Sequence, residues 1–66
     1  EKKALSLYQK AAEQGNDVAM VSLGMMYYRG MGVSQNSEEA IKWWKKARKK
    51  GNENAILILK KILENK

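Results

Sequence analysis

The chain has 66 residues and contains no cysteine, histidine or proline, so neither disulfides nor a cysteine–histidine zinc site can reinforce its small core. Hydrophobic residues make up 44%, which is ordinary for a globular domain and argues against general disorder, and the lack of cysteine fits a reducing compartment. The net charge of +6 is uneven, since six of the thirteen basic residues lie between Lys42 and Lys50.

The first predicted helix covers residues 3–14. Small and apolar side chains recur there at helical spacing and predict one buried face, formed by Ala4, Leu7, Tyr8, Ala11 and Ala12. Gly15 is expected to end this helix, because glycine takes the left-handed cap conformation without a steric penalty. Asn16 or Asp17 can then cap the following helix by accepting a hydrogen bond from a free backbone N–H.

The second predicted helix, residues 17–29, carries two apolar stripes. One stripe consists of Ala19, Leu23, Met26 and Tyr27, and the other of Val21, Met25 and Tyr28. Two stripes predict contacts with two neighbours, as inside a stack of helices. Gly24 costs about 1 kcal/mol relative to alanine in a helix interior. We expect the close approach of a neighbouring helix to compensate for this cost.

The connection that follows, residues 30–36, contains two glycines. Gly30 and Gly32 permit positive φ values and a tight reversal of the chain, and we expect Val33 to tuck back under the helix pair. Ser37 is the predicted N-cap of the third helix. The adjacent carboxylates Glu38 and Glu39 suit the positive end of its dipole.

The third and fourth helices are predicted at residues 38–50 and 53–65. The third is expected to bury Ala40, Trp43, Trp44 and Ala47, with Trp43 in the core and Trp44 partly exposed. Its opposite face, here named the basic face, carries Lys42, Lys45, Lys46 and Lys49. Gly51 repeats the earlier helix stop. The fourth helix is expected to pack Ala55, Ile56, Leu59, Ile62 and Leu63.

A period of 36 residues relates the two halves of the chain. Residues 1–30 laid over 37–66 give seven identities, among them the Gly15-Asn16 and Gly51-Asn52 pairs. A fixed period of this size is typical of a stacked helical-repeat array.

The chain resembles the Sel-one-like repeat (SLR) family, a relative of tetratricopeptide repeats. At the positions of the family pattern the chain has Ala19, Leu23, Gly24, Tyr27, Gly30, Gly32, Val33, Asn36, Ala40, Trp43, Trp44, Ala47 and Gly51, with Asn36 standing where the family prefers Asp. The resemblance implies an all-α, right-handed superhelical solenoid segment of four antiparallel helices.

The resemblance also implies boundaries within the chain. Residues 1–15 are interpreted as the second helix of a preceding repeat, residues 17–51 as one full repeat, and residues 53–66 as a C-terminal capping helix. The family signature is lost in the last helix, which acquires polar character through Lys60, Lys61, Glu64 and Lys66. Terminal repeats need such a polar outer face. The start at Glu1, in the middle of a repeat, is interpreted as a cut.

The sequence offers no catalytic residue, metal ligand set or cofactor motif. Without histidine or cysteine, no Ser-His-Asp or Cys-His arrangement can form. The Gly30-x-Gly32 pair lies between helices and not after a strand, so a repeat turn is favoured over a dinucleotide loop. No apolar run reaches the 18 residues expected of a membrane span. We therefore expect a protein that is not an enzyme and has no membrane-spanning segment.

The basic face has three interpretations. A solvated helix surface is favoured over an acidic protein or lipid surface and over nucleic acid. Roughly six phosphate contacts would be enough for strongly salt-dependent nucleic-acid binding, and Trp43 and Trp44 could stack on bases. Core packing of both tryptophans is favoured over stacking, however, so nucleic acid is the least expected partner.

A concave stripe on the second helix is the predicted partner site. It comprises Val21, Ser22, Met25, Tyr28 and Arg29. In proteins that resemble this chain, the first helix of each pair lines the groove that takes partners. Methionine adapts to varied shapes, and tyrosine and arginine are enriched at binding hot spots. Contact of the same stripe with flanking helices, including residues 53–65, is the competing interpretation.

The expected function is therefore a non-catalytic protein–protein interaction scaffold that binds a protein or peptide through this concave stripe. One alternative is a self-associating fragment, dimeric or helix-swapped, because the first helix would expose the face that meets an upstream helix. The other alternative is salt-sensitive binding of nucleic acid or an anionic surface through residues 38–50.

Overall fold

The computed structural model describes residues 2–64, which form four α-helices joined by short turns. These are α1 (Lys2–Glu13), α2 (Asp17–Arg29), α3 (Ser37–Lys49) and α4 (Glu53–Glu64). The main packing follows chain order, α1 against α2, α2 against α3, and α3 against α4. Residues 2–64 contain no strand, so the all-α prediction is confirmed. The right-handed sense of the superhelix stays a prediction.

Asparagine caps three of the helices in the same way. The Oδ1 atoms of Asn16, Asn36 and Asn52 accept backbone N–H groups three residues further on, at 3.0, 3.1 and 3.0 Å. Each bond satisfies one of the free donors in the first turn. Of the two candidates for α2, Asn16 is therefore the cap. The prediction of Ser37 for α3 was wrong by one residue, because Ser37 already lies in the first turn and Asn36 precedes it.

The α2–α3 connection closes back on the end of α2. Gly30 and Gly32 have φ values of 70° and 75°, which confirms the predicted left-handed conformations. The backbone N–H of Asn36 donates to the carbonyl oxygen of Tyr27 at 2.8 Å. Val33 is half-buried. The connection is thus held by backbone conformation and by a hydrogen bond that spans it.

Trp44 packs directly on Gly24 at the centre of the core. A Cβ atom at Gly24 would lie 2.7 Å from Cδ1 of the Trp44 ring, closer than side-chain carbons approach in practice. The expectation of a close helix approach at Gly24 is therefore confirmed. Trp44 is 0% exposed, so the expectation that it would be partly exposed was wrong. The missing glycine side chain opens the space in α2 that the indole fills.

The remaining core lies on both sides of α2 and along α3. Leu23 and Leu59 are, with Trp44, the largest fully buried side chains. Around them lie the other members of one cluster, Ala12, Ala19, Met20, Ala40, Trp43, Ala47 and Ala55. Met20 was not among the predicted core residues. It belongs to the same buried cluster as Ala19 and Leu23.

The outward face of α1 departs from the sequence prediction. Leu7 and Tyr8 were expected to be buried, but they are 65% and 40% exposed. Their counterparts 36 residues later are Trp43 and Trp44, which are both buried, and Trp44 packs on Gly24 of the preceding helix α2. Among residues 2–64 no helix stands before α1 in the same way. Instead, Leu5 and Ala12 carry the contact with the core.

The outward face of α4 shows the same effect at the other end. Ile56 and Leu63 were expected to pack, but both are exposed. Their counterparts Met20 and Tyr27 are buried and half-buried in α2, which packs against both α1 and α3. Lys60, Lys61 and Glu64 are exposed on α4 as well, whereas Lys66 lies outside the described residues. The interpretation of residues 53–66 as a capping helix stays a prediction.

One side-chain hydrogen bond ties the two halves together. The Nδ2 group of Asn52 donates to the Asp17 carboxylate at 2.7 Å. Because Asn52 also caps α4, this bond joins the start of α2 to the start of α4. The two helices are thereby held at a defined distance at one end.

The core can be tested with two leucine truncations. We expect Leu23→Ala to lower the free energy of unfolding by about 2–5 kcal/mol, because it leaves a cavity in a fully buried site. Leu57→Ala is the matched control. Its side chain is 60% exposed, so it should change the stability by no more than about 0.5 kcal/mol. Denaturant unfolding followed by circular dichroism measures both, and equal effects would contradict the assigned core.

The Gly24–Trp44 contact predicts an inverted glycine effect. In an exposed helix Gly→Ala gains about 1 kcal/mol. Here we expect Gly24→Ala to lose about 1–3 kcal/mol, because the methyl group meets the Trp44 ring. The loss should shrink in a Trp44→Phe background, where the ring is smaller, and a double-mutant cycle of unfolding free energies measures the difference. Stabilisation by Gly24→Ala alone would contradict the packing.

Candidate functional site

A groove runs between α2 and α4 on the side of the stack that α1 and α3 leave open. Its first part has a volume of about 510 Å³ and its second part about 340 Å³. The two parts adjoin, since Met25, Ile58 and Lys61 line both. This α2–α4 groove is defined by the residues that line either part: Val21, Met25, Tyr28, Arg29, Trp44, Asn54, Leu57, Ile58, Lys60, Lys61, Ile62 and Glu64.

Most of the predicted concave stripe lies along this groove. Val21 and Met25 line its first part, and Met25, Tyr28 and Arg29 line its second part. Ser22 lines neither part and is half-buried. Val21 and Met25 also pack against the core cluster. The stripe thus both supports the fold and borders the groove, so the two interpretations of the sequence are compatible.

The α4 wall of the groove was missing from the predicted site. Leu57, Ile58 and Lys61 stand 36 residues after Val21, Ser22 and Met25. Two of these equivalent pairs, Val21 with Leu57 and Met25 with Lys61, line the groove from α2 and α4. Ser22, the counterpart of Ile58, does not line it. The repeat period could have identified the α4 wall, because each surface position assigned to the site on α2 has a counterpart 36 residues later.

The base of the second part is held by Trp44. Its indole Nε1 donates to the Val21 carbonyl oxygen at 3.1 Å. Its ring lies 5.6 Å from that of Tyr28, centroid to centroid, at an interplanar angle of 50°. Tilted aromatic pairs at this distance are attractive. A fully buried side chain from α3 thus orients Tyr28 at the groove surface.

Charge around the groove is predominantly positive. Arg29, Lys60 and Lys61 contribute three cations, and all three are exposed. Among the lining residues within the described range 2–64, Glu64 is the one carboxylate. Between these charged groups, the floor of the groove is formed by aliphatic side chains and a methionine thioether. The combination is an apolar channel with a cationic border.

The basic face lies on α3, away from the groove lining. Lys42, Lys45, Lys46 and Lys49 are all exposed, as predicted. The Lys46 ammonium group sits 4.7 Å from the centroid of the Trp43 ring. This geometry is a cation–π contact. Trp43 is 9% exposed, so neither it nor the fully buried Trp44 offers a free face for stacking on a base.

The family-pattern residues serve packing and turns. Seven of them are buried: Ala19, Leu23, Gly24, Ala40, Trp43, Trp44 and Ala47. Tyr27, Gly30, Gly32 and Val33 are half-buried around the α2–α3 connection. Gly51 is exposed and has a φ of 88°. These positions hold the helices at the spacing that leaves the α2–α4 groove open.

Residues 2–64 contain no group of three or more acidic, histidine or cysteine side chains able to hold a metal ion. Over the same residues, no helix combines the length and the apolar character that crossing a membrane requires. Glu38 is exposed and Glu39 is half-buried in the first turn of α3, where carboxylates favour the positive end of the helix dipole.

Comparison with known proteins places this geometry in context. A family model described as "Sel1 repeat" matches residues 1–16 and 17–52. A sel1-like repeat-containing protein of Acanthamoeba polyphaga mimivirus is 38% identical over 47 residues, which cover 71% of this chain and 8% of that protein. A Rattus norvegicus protein named DAP3-binding cell death enhancer 1 is 38% identical over 55 residues, covering 83% of this chain and 11% of that protein.

No solved structure matches the chain. The chain spans about a tenth of the length of the two curated relatives, at 8% and 11%. The likeness therefore concerns the repeat unit, and the activities and partners of the relatives belong to much longer proteins.

Proposed function

The chain belongs to the Sel1 repeat family, and from this premise we propose that it is a protein-binding module that takes its partner in the α2–α4 groove. Sel1 repeats generally mediate protein–protein interactions and form a non-catalytic scaffold fold. The proposal adds the location of the site and its lining residues. A protein or peptide is the partner class that this groove suits best.

The observation that supports this location is the groove itself. Val21, Met25, Leu57 and Ile58 border one channel of about 510 Å³ from two sides. A channel of this volume lined by apolar side chains, with few polar groups, is the usual form of a ligand-binding site. Leu57 is 60% exposed although it is apolar. A partner side chain that covers it would remove apolar surface from water.

One of the relatives is named for a binding partner. The rat relative is named for binding DAP3. This name concerns that protein alone and does not identify the partner here. It agrees with the general role of the repeat family.

The test compares two aspartate substitutions on α4. Leu57→Asp places a charge in the groove, whereas Leu63→Asp makes the same change on the same helix at a 53% exposed site outside the groove lining. Peptides selected from a random display library on the wild-type chain serve as probes. We expect Leu57→Asp to weaken binding at least about tenfold, as a hot-spot loss, and Leu63→Asp to leave the affinity within about threefold.

Titration by fluorescence anisotropy gives the two affinities, and circular dichroism verifies that both variants are folded. Amide chemical shifts of the wild-type chain should move mainly in α2 and α4 when peptide is added. Equal affinity of the Leu57→Asp variant and the wild type would reject the groove as the site.

Self-association through α1 is a second candidate function. The specific observation is that Leu7 and Tyr8 are exposed, whereas their counterparts Trp43 and Trp44 are buried and Trp44 packs on α2. The α4 helix of a second copy fits this face poorly, because Lys60 stands where α2 has Gly24. We therefore propose an isologous contact between the α1 helices of two copies.

Two glutamate substitutions on α1 test this contact. We expect the wild-type chain to show a concentration-dependent mass in sedimentation equilibrium at high micromolar concentration. Tyr8→Glu should make it monomeric, because it places a charge in the apolar face. Gln9→Glu makes the same charge change at an exposed neighbour and should preserve the association. A wild-type monomer throughout the concentration range would rule this candidate out.

A further inference from the structure

We infer that the partner of the α2–α4 groove is an acidic peptide segment that carries large apolar anchor residues. This inference rests on the proposed function and specifies the chemistry of its partner. Its support comes from the floor of the groove, from the charges at its border and from the charge of the whole chain.

The apolar floor of the groove favours a peptide with apolar anchor residues. Val21, Met25, Leu57 and Ile58 bring aliphatic and thioether surface to the first part of the groove. Met25 and Ile58 continue into the second part. Methionine adapts to differently shaped side chains because it is unbranched and polarizable. Two adjoining cavities of about 510 and 340 Å³ offer places for more than one anchor.

The cations at the border of the groove favour a peptide that carries negative charge. Lys60 and Lys61 occupy one α4 turn at the first part, and Arg29 lies at the second part. Against these three cations stands the single carboxylate of Glu64. Carboxylates that flank an anchor would meet the cations at the rim, where charges mainly affect the association rate and specificity. The net charge of +6 attracts an acidic segment from a distance as well.

The same charges disfavour two other occupants. A second copy that entered the groove would bring its own net charge of +6 to the three cations at the border, whereas the α1 contact proposed above lies outside the groove lining. A nucleic acid would find only three cations around the groove, fewer than the roughly six phosphate contacts of a strongly salt-dependent binder. Of the aromatic residues that line it, Trp44 is fully buried and Tyr28 is 38% exposed. An acidic peptide satisfies both the apolar floor and the cationic border.

The experiment uses a library of random peptides and two charge-reversed variants. Lys60→Glu with Lys61→Glu reverses the border of the groove. Lys45→Glu with Lys49→Glu reverses two exposed lysines of the basic face and changes the net charge equally. Peptides selected on the wild-type chain should combine Asp or Glu with Leu, Met, Phe or Trp. Their affinity should fall at least about tenfold for the border variant and no more than about threefold for the control.

Ionic strength is the second readout. Raising the salt concentration from 0.05 to 0.5 M should weaken binding of the selected peptides severalfold, because exposed charge pairs are screened. Peptides selected on the border variant should shift towards Lys and Arg. Both results would follow from charge recognition at the groove, and a change in folding alone would produce neither.

Three outcomes would overturn the inference. The selected peptides could be neutral or basic and still bind the Leu57→Asp variant more weakly than the wild type. This result would reject an acidic partner but keep the groove as the binding site. Insensitivity to Leu57→Asp would instead reject the proposed function. Equal losses in both charge-reversed variants would show unspecific attraction to a basic chain.

Two further experiments test a second copy of the chain and a nucleic acid as occupants of the groove. Sedimentation equilibrium that shows a dimer broken by Leu57→Asp would assign the groove to a second copy. A fluorescent single-stranded oligonucleotide that displaces the selected peptides, and is itself released by Leu57→Asp, would assign it to nucleic acid. Either result would overturn the inference of an acidic peptide.

Discussion

The packing of Trp44 on Gly24 is the contact on which the other parts of this structure depend. The indole fills the space that the glycine leaves in α2, and its Nε1 donates to the Val21 carbonyl oxygen at 3.1 Å. It therefore determines how closely α2 and α3 approach. Since α4 packs on α3, the same contact influences the distance from α2 to α4. The width of the α2–α4 groove follows from it.

The 36-residue period explains the exposed apolar surfaces as well as the buried ones. Trp44 is buried and its counterpart Tyr8 is not, because a helix of the α2 type precedes α3 but none precedes α1 among residues 2–64. In a repeat stack each unit contacts only its neighbours, so the outermost helices retain a face without a partner. Domains of this size bury only about 60% of their unfolded surface. Contacts at the two ends would therefore add stability as well as specificity.

The groove combines two properties that come from different levels of organisation. Its apolar floor arises from repeat symmetry, since Val21 and Leu57 are equivalent positions that face one channel. Its charge arises from the divergence of the repeats, since Lys60 and Lys61 stand where the preceding unit has Gly24 and Met25. Symmetry thus supplies the apolar channel, and divergence supplies its positive charge, on which the proposed preference for an acidic partner rests.

The sequence by itself determined the number and the approximate bounds of the helices, the left-handed glycines, the need for a close neighbour at Gly24 and the family. These features depend on local backbone conformation and on a period that is visible along the chain. Of the five residues that the sequence assigned to the concave stripe, four line the α2–α4 groove, and Ser22 does not.

Only the tertiary structure decided which of two adjacent tryptophans lies deepest, which apolar faces of α1 and α4 stay open, and that α4 supplies the second wall of the groove. Helical periodicity shows which residues share a face, but not whether another helix covers that face. Trp43 and Trp44 are alike in type and position, and their burial differs because only Trp44 meets the glycine of α2. Burial at these positions depends on which residues are neighbours in space, and the order of residues along the chain does not state this.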